Sequence, residues 1–223
     1  DRTKSRGLGD VYKRQVLIQA ANDFHRRHVL EQEGILGATA ITIDRKKTME
    51  HVRSLRDRFV RGVKSSIPTY EDKLVRKRAK FISDHILSFG DEEIQAEKII
   101  IATGSSPIIP GPWQKYREHL LTTDEFFELD ELPETMAVIG LGVIGIELGQ
   151  ALNRLGINII AAGLGKEIGG LTEPELQEYT LKKLSEEMAI YTEGADIVGY
   201  DNKGKLLIKV DEKEKHKIKL ISL

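Results

Sequence analysis

The sequence predicts an α/β fold that combines a parallel sheet with antiparallel meanders, and three observations carry the prediction. In the second half, strand "MAVIG", helix "VIGIELGQALNRLG", strand "INIIAAG" and helix "EPELQEYTLKKLSEEMA" follow in βαβα order, which calls for parallel strands with crossover helices. The first strand and helix of that series meet at "GLGVIG", a G-x-G-x-x-G turn. Further upstream, "KLVRKRAKFIS", "HILSF" and "EIQAEKIIIATG" alternate with period two around a "GDEE" turn, the pattern of antiparallel strands leading into a fully buried one.

The remaining elements follow in chain order. From Val16 to Glu33 the apolar positions Leu17, Ala21, Phe24 and Leu30 fall at helical spacing, and Gly34 is a stop signal. An Arg-rich helix is expected from about Thr48 to Ile67, ended by Pro68, which has no N–H to donate and disfavours a helical predecessor. Its apolar face is Val52, Leu55, Phe59 and Val63, and Arg53, Asp57 and Arg61 stand at the spacing of intrahelical ion pairs. "ATGSSPIIPGPW" interrupts the pattern, and the stretch through "TTDEFFELDELPE" is expected to be an acidic connector, with a domain boundary within residues 112–132. Thr172 and Glu175 have capping-box spacing, with Pro174 in the first turn of the last helix. "ADIVGYDNKGKLLIKVDEKEKHKIKLISL" closes the chain with two or three alternating strands and an "NKG" turn.

Composition narrows the functional classes. Over 223 residues, 40% apolar content suffices for packed cores. No stretch approaches the roughly 18 consecutive apolar residues of a membrane span, and the first residues lack the apolar core of a secretory signal. A cytoplasmic location with no membrane partner is therefore expected. The sequence has no cysteine, which removes disulfides, thiolate metal sites and thiol catalysis from its own repertoire. Residues 16–90 carry 15 Lys/Arg against 9 Asp/Glu, while residues 91–223 carry 14 against 24. Because the arginines share an amphipathic helix, a solvated helix face is expected rather than a nucleic-acid surface. No metal site is expected, and His25, His28, His51, His85, His119 and His216, all in charged surroundings, are expected at the surface.

The glycine turn carries the chemistry. Gly140 allows the tight turn, Gly142 lets a pyrophosphate approach the backbone, and Gly145 lets helix and strand pack closely. The helix start then offers free N–H groups and the positive end of its dipole. An acidic residue is expected about 18 to 20 residues further on, to bind the ribose hydroxyls of NAD. Gly163 stands there instead, no arginine is near, and Lys166 is a candidate for a 2′-phosphate, so NAD and NADP both stay open.

These residues resemble the pyridine nucleotide-disulfide oxidoreductases, the flavoprotein family of dihydrolipoyl dehydrogenase, glutathione reductase, mercuric reductase and soluble transhydrogenase. "KIIIATGSSPIIP" is similar to the family's second flavin-contact strand and turn, and "VIGLGVIGIELG" follows some thirty residues later. "VLIQAANDFHRR" resembles the helix after the redox-active disulfide in dihydrolipoyl dehydrogenases and soluble transhydrogenases. The resemblance implies an FAD/NAD(P)-binding, Rossmann-like two-domain α/β fold, incomplete, with antiparallel β-meander crossovers. It implies that Thr103, Gly104 and Ser105 touch FAD and that Ala79 sits near its adenine side. Gly140, Gly142, Val143, Ile144 and Gly145 would cradle the pyrophosphate of NAD or NADP and cover its ring. Glu147 matches a glutamate used near the nicotinamide, although as an acid near a helix start it also fits a purely structural role. Ile197 matches a backbone contact to the NAD adenine.

The implied reaction moves electrons between NAD(P)H, FAD and a disulfide or dithiol substrate, most closely as in dihydrolipoyl dehydrogenase, with a homodimeric parent enzyme. The alternatives are soluble transhydrogenase, another FAD/NAD(P) reductase, or a non-catalytic nucleotide-binding module. The family's first flavin G-x-G-x-x-G, its C-x4-C motif and its C-terminal His-Glu pair are missing from both outer sides of the matching stretch, the pattern of an internal fragment inactive by itself. Weak NAD(P) binding and no stable flavin are expected. "SRGLGDVYKRQ" resembles a translated transposase sequencing adapter, whose end read as GAT GTG TAT AAG AGA CAG gives Asp10 through Gln15. Residues 1–15 are therefore expected to be a non-native leader outside the fold. Residues 16–118 would form a partial FAD-binding domain and residues 119–223 a truncated NAD(P)-binding domain.

Overall fold

Two apolar segments, Thr135–Ile139 (β5) and Asn158–Ala162 (β6), pair in parallel at the centre of the computed structural model. That structure describes residues 8–163, 168–202, 205–210, 215–217 and 219–222. The remaining elements, in chain order, are helices Leu8–His25 (α1), Arg27–Gln32 (α2) and Arg45–Ser65 (α3) and strands Lys80–Ser83 (β1), Ile86–Phe89 (β2), Glu92–Gln95 (β3) and Leu120–Leu121 (β4). Helix Thr123–Phe126 (α4) precedes β5, and Val143–Arg154 (α5) joins β5 to β6. Helix Pro174–Ser185 (α6) leads to Ala189–Tyr191 (β7), Asp196–Tyr200 (β8), Leu206–Lys209 (β9), Lys215–Lys217 (β10) and Lys219–Ser222 (β11).

The main sheet has the order β4-β11-β5-β6-β7, all parallel. Because neighbouring side chains of a strand face opposite ways, β5 and β6 supply two cores. Met136, Val138, Ile159 and Ala161 face α5, α6 and the helices α1 and α3. Ala137, Ile139, Ile160 and Ala162 face the β8–β10 meander and the 3-10 turn Gly111–His119, with Trp113, Ile197, Leu206 and Ile208. The expected βαβα order, parallel sheet and antiparallel meander are thus present, and β11 returns to the parallel sheet after the meander. The "NKG" turn lies partly outside the described residues, but Asp201 and Lys205 close the hairpin through two 2.8 Å hydrogen bonds.

Several expectations are corrected. Helix α1 starts at Leu8 rather than Val16, so the helix runs through residues 8–15 as well. No proline interrupts that stretch, and Tyr12 stacks on Phe59 at 5.3 Å while the Lys13 ammonium lies over the Phe127 ring. Helix α3 starts at Arg45 because Asp44 caps it, its carboxylate accepting from the Lys47 N–H at 3.0 Å. Its apolar face ends early: Met49 and Val52 are buried, but Val63 is exposed. Asp57 pairs with Arg56, and Arg53 reaches across to the Leu129 carbonyl and Asp130, so tertiary contacts displace the intrahelical pairs.

The acidic connector is also more than a linker. Helix α4 carries a full capping box between Thr122 and Glu125, and Phe126 and Phe127 are buried in the core shared by α1, α3 and α5. The Thr172 cap does not form: Pro174 takes the first helical position, which makes Glu173 the cap and puts Glu175 one place too early. The segment "KIIIATG", expected as a fully buried strand, follows β3 as exposed chain, with Ile100 at 91% and Ile101 at 69% exposure. The parallel sheet ends at β4 and β7, and neither edge takes up that segment.

A polar bridge joins α1 to α5. The Arg154 guanidinium donates to both Glu187 carboxylate oxygens at 2.7 and 2.8 Å and to Asn22 Oδ1 at 2.6 Å, while Gln150 donates to Glu187 at 2.9 Å. The Arg154 hydrogen bonds hold the Glu187 carboxyl below its ordinary pKa, against the opposing pull of burial. A depressed carboxylate pKa stabilises the fold above the unfolded value, and this contribution is lost as pH falls through the folded one. Glu187→Gln should therefore flatten the loss of stability between about pH 5 and about pH 3 in urea titrations. Phe126→Ala should cost about 3 to 5 kcal/mol in the same assay at neutral pH.

Candidate functional site

The site grows from the end of β5. Gly140 sits at φ 117, which a side chain rarely tolerates, and its N–H donates to the Ala162 carbonyl at 2.8 Å, tying the turn to the end of β6. Gly142 caps α5, and the helical ladder opens with Ile146 N–H to the Gly142 carbonyl at 3.0 Å. By helix geometry the N–H groups ahead of Ile146 have no acceptor within the helix. A Cβ on Gly142 would meet nothing within 4 Å, so open space faces these donors. Gly145 is buried, consistent with close helix–strand packing, whereas Val143 and Ile144 are 51% and 46% exposed beside the open space. An anionic pyrophosphate fits this bare, N–H-lined helix start.

The second strand delivers Gly163 to the same end. It is buried, and its N–H donates to the Tyr191 carbonyl at 2.8 Å, linking β6 to β7. Lys166 lies outside the described residues. The sequence reading missed the glycine pair that follows: Gly169 and Gly170 have φ 64 and 69, and the Gly169 N–H donates to the Leu141 carbonyl at 2.7 Å. A Cβ on Gly169 would stand 3.5 Å from Ile146 and one on Gly170 3.9 Å from Val143. The doublet "GG" after a strand was the available signal.

Glu147 is held by Arg14, whose Nε lies 2.7 Å from its Oε2, an ion pair rather than an aligned hydrogen bond. Arg14 opposes Glu147 as Asn22 opposes Arg154, so α1 and α5 run side by side with their N-termini at one end. Ile197 lies on β8 with its side chain buried in the meander core, and its N–H donates to the Asp196 carboxylate at 2.8 Å. Trp113 Nε1 donates to the same carboxylate oxygen at 3.1 Å.

Ala79 precedes β1, and Thr103, Gly104 and Ser105 lie in exposed, irregular chain. The described residues at these positions provide no strand–turn–helix for a flavin pyrophosphate, so by themselves they do not fit that group. The histidines are corrected in two cases. His25 is half-buried near Arg154 and Glu187, where burial and the Arg154 charge lower its pKa, and His119 packs edge-on to Tyr200. The side chain of His216 lies outside the described residues. No cluster of three His, Asp or Glu side chains able to hold a metal is found among the described residues.

Comparison with known proteins identifies the family. The family model for pyridine nucleotide-disulphide oxidoreductases matches residues 6–222. Mercuric reductase of Lysinibacillus sphaericus is 29% identical over 140 residues, 63% of this chain and 26% of that protein. Dihydrolipoyl dehydrogenase 2 of Haloarcula marismortui is 26% identical over 210 residues, 90% of this chain and 44% of that protein. The solved structure of the copper complex of HOCl-induced flavoprotein disulfide reductase RclA from Escherichia coli superposes with TM-score 0.68 at 16% identity, covering 96% of this chain and 46% of that one. The chain thus spans less than half the length of each of these proteins. With a family model matching nearly its whole length, the chain belongs to the pyridine nucleotide-disulfide oxidoreductases, a family of FAD- and NAD(P)-dependent enzymes.

Proposed function

We propose that this chain is the nucleotide-binding middle of a flavoprotein that moves electrons between NAD(P)H, FAD and a disulfide or dithiol substrate, of dihydrolipoyl dehydrogenase type. The observation that carries the reading is the strand-to-helix turn Gly140–Gly145, with its donors facing open space at Gly142. The helix start binds the pyrophosphate by backbone donation and dipole. Val143 and Ile144, exposed beside it, supply apolar cover that excludes water from the nicotinamide ring. Glu147, in the second turn of α5 and paired with Arg14 at 2.7 Å, would stand near the nicotinamide. When bound, the nicotinamide and flavin supply hydride and two-electron chemistry. Thr103, Gly104, Ser105 and Ala79 would meet the flavin once a flavin pyrophosphate site is provided by other parts of the protein, and Ile197 would stand at the adenine. A cytoplasmic homodimer is the proposed setting.

"VLIQAANDFHRR" favours dihydrolipoyl dehydrogenase or soluble transhydrogenase over flavoenzymes without a redox disulfide. The lack of any cysteine favours a second reading for the chain as it stands, a dinucleotide-binding module without redox chemistry. Genomic sequence upstream of the Val16 codon separates the two. A C-x4-C motif a few codons before it supports the enzyme, and an initiator methionine near Val16 contradicts it.

For the chain itself, calorimetric titration should detect NADH binding. Gly142→Ala should weaken it at least about tenfold while costing under about 1 kcal/mol of stability, because the added methyl fills the cradle and touches no protein atom. Equal binding by variant and parent would refute the site. The purified chain should carry no stoichiometric flavin, and a yellow preparation with one FAD per chain would contradict that expectation.

A further inference from the structure

Residues 168–171 form a strap across the start of α5. The Ile168 side chain anchors it in the core shared by α1, α3 and α5. The Gly169 N–H donates to the Leu141 carbonyl at 2.7 Å, and the Leu171 N–H closes a turn onto the Ile168 carbonyl at 3.0 Å. From the other side, Gln177 Nε2 of α6 donates to the Leu171 carbonyl at 2.6 Å. Gly169 and Gly170, at φ 64 and 69, give the strap its reversal and bring its backbone beside Ile146 and Val143.

The strap's hold on Leu141 has a consequence one atom further along. A trans peptide bond points its C=O and its N–H in opposite directions. With the Leu141 carbonyl taken by Gly169, the Gly142 N–H points away from the strap. The Leu141 side chain is buried in the core, and the Gly142 carbonyl accepts from Ile146 to open α5, so the chain is fixed on both sides of this peptide. Resting on the dinucleotide reading above, we propose that Gly169 is a positioning residue of the site: by holding the Leu141 carbonyl it presets the Gly142 N–H, and with it the first amides of α5, for the dinucleotide phosphates. Gly169 acts through Leu141 and touches no ligand in this role. Its requirements are a backbone N–H and a left-handed conformation, which asparagine adopts far more readily than alanine.

Calorimetric titration of NADH into the whole chain and into Gly169→Ala and Gly169→Asn tests this. Gly169→Ala should weaken binding by about 5- to 30-fold, the strain of a left-handed alanine expressed as a loss of the binding-competent strap. Gly169→Asn should stay within about threefold of the parent. A residue that only supports the fold would lower the melting temperature of the variants and leave the NADH affinity of the folded chain unchanged. A folded Gly169→Ala protein that binds like the parent therefore overturns the proposal, as does an asparagine variant weakened as much as the alanine one. If the alanine variant does not fold, amide hydrogen exchange in the parent decides. The Gly169 amide should be protected with and without NADH, and the Gly142 amide should gain protection on binding. Fast exchange at Gly169 in the complex, or unchanged exchange at Gly142, overturns the assignment. Failure of the parent to bind NADH refutes the dinucleotide site itself, and this assignment with it, a different outcome from parent-like binding by the variant.

Discussion

Two-sided burial of β5 and β6 is the constraint on which the rest of the structure depends. Both faces of these strands are covered, by helices on one side and by the meander on the other, so both strands are apolar at every central position. Their parallel register, Thr135 opposite Asn158 through Ile139 opposite Ala162, brings the two strand ends out together. Gly140 and Gly163 therefore emerge side by side, and the hydrogen bond from Gly140 to Ala162 fixes the turn that aims α5. The proposed nucleotide site is a consequence of where this strand pair stops.

The uneven charge of the chain has a structural counterpart. Arg45 donates to the Gly156 carbonyl at 2.9 Å, Arg56 pairs with Glu128, and Arg53 binds the Leu129 carbonyl and Asp130. Three arginines of the basic stretch thus grip main chain or carboxylates of the acidic stretch. Pairs of this exposure each contribute at most about 1 kcal/mol. Their larger effect is orientation: α3 is held against the loop after α4 while Phe126 and Phe127 enter the core beneath it. The basic face of α3 was legible in the sequence, and its use was not, because i,i+4 spacing shows helix neighbours and not partners 72 to 111 residues away.

The same contrast holds elsewhere. The βαβ unit and its glycine turn were legible because strand, turn and helix signals coincide within thirty residues. Phe126 and Phe127 were read as part of an acidic connector because the surrounding Asp and Glu dominate the local pattern, whereas their burial depends on helices far away in sequence. Helix α1 was placed too late for a related reason. Its upstream turns have no apolar period of their own and are held by Tyr12 on Phe59 and Arg14 on Glu147. The "KIIIATG" segment has the sequence of a buried strand, yet sequence alone does not state which sheet receives it.

The Gly140–Gly145 helix start is proposed as a dinucleotide site. Backbone amide NMR of the isotope-labelled chain, titrated with NADH, tests it most directly. Binding at this helix start should place the largest shift changes on Gly142, Val143, Ile144 and Gly145, with a second group around Gly163. Saturating NADH that leaves those amides unmoved, or moves a different surface instead, would contradict it.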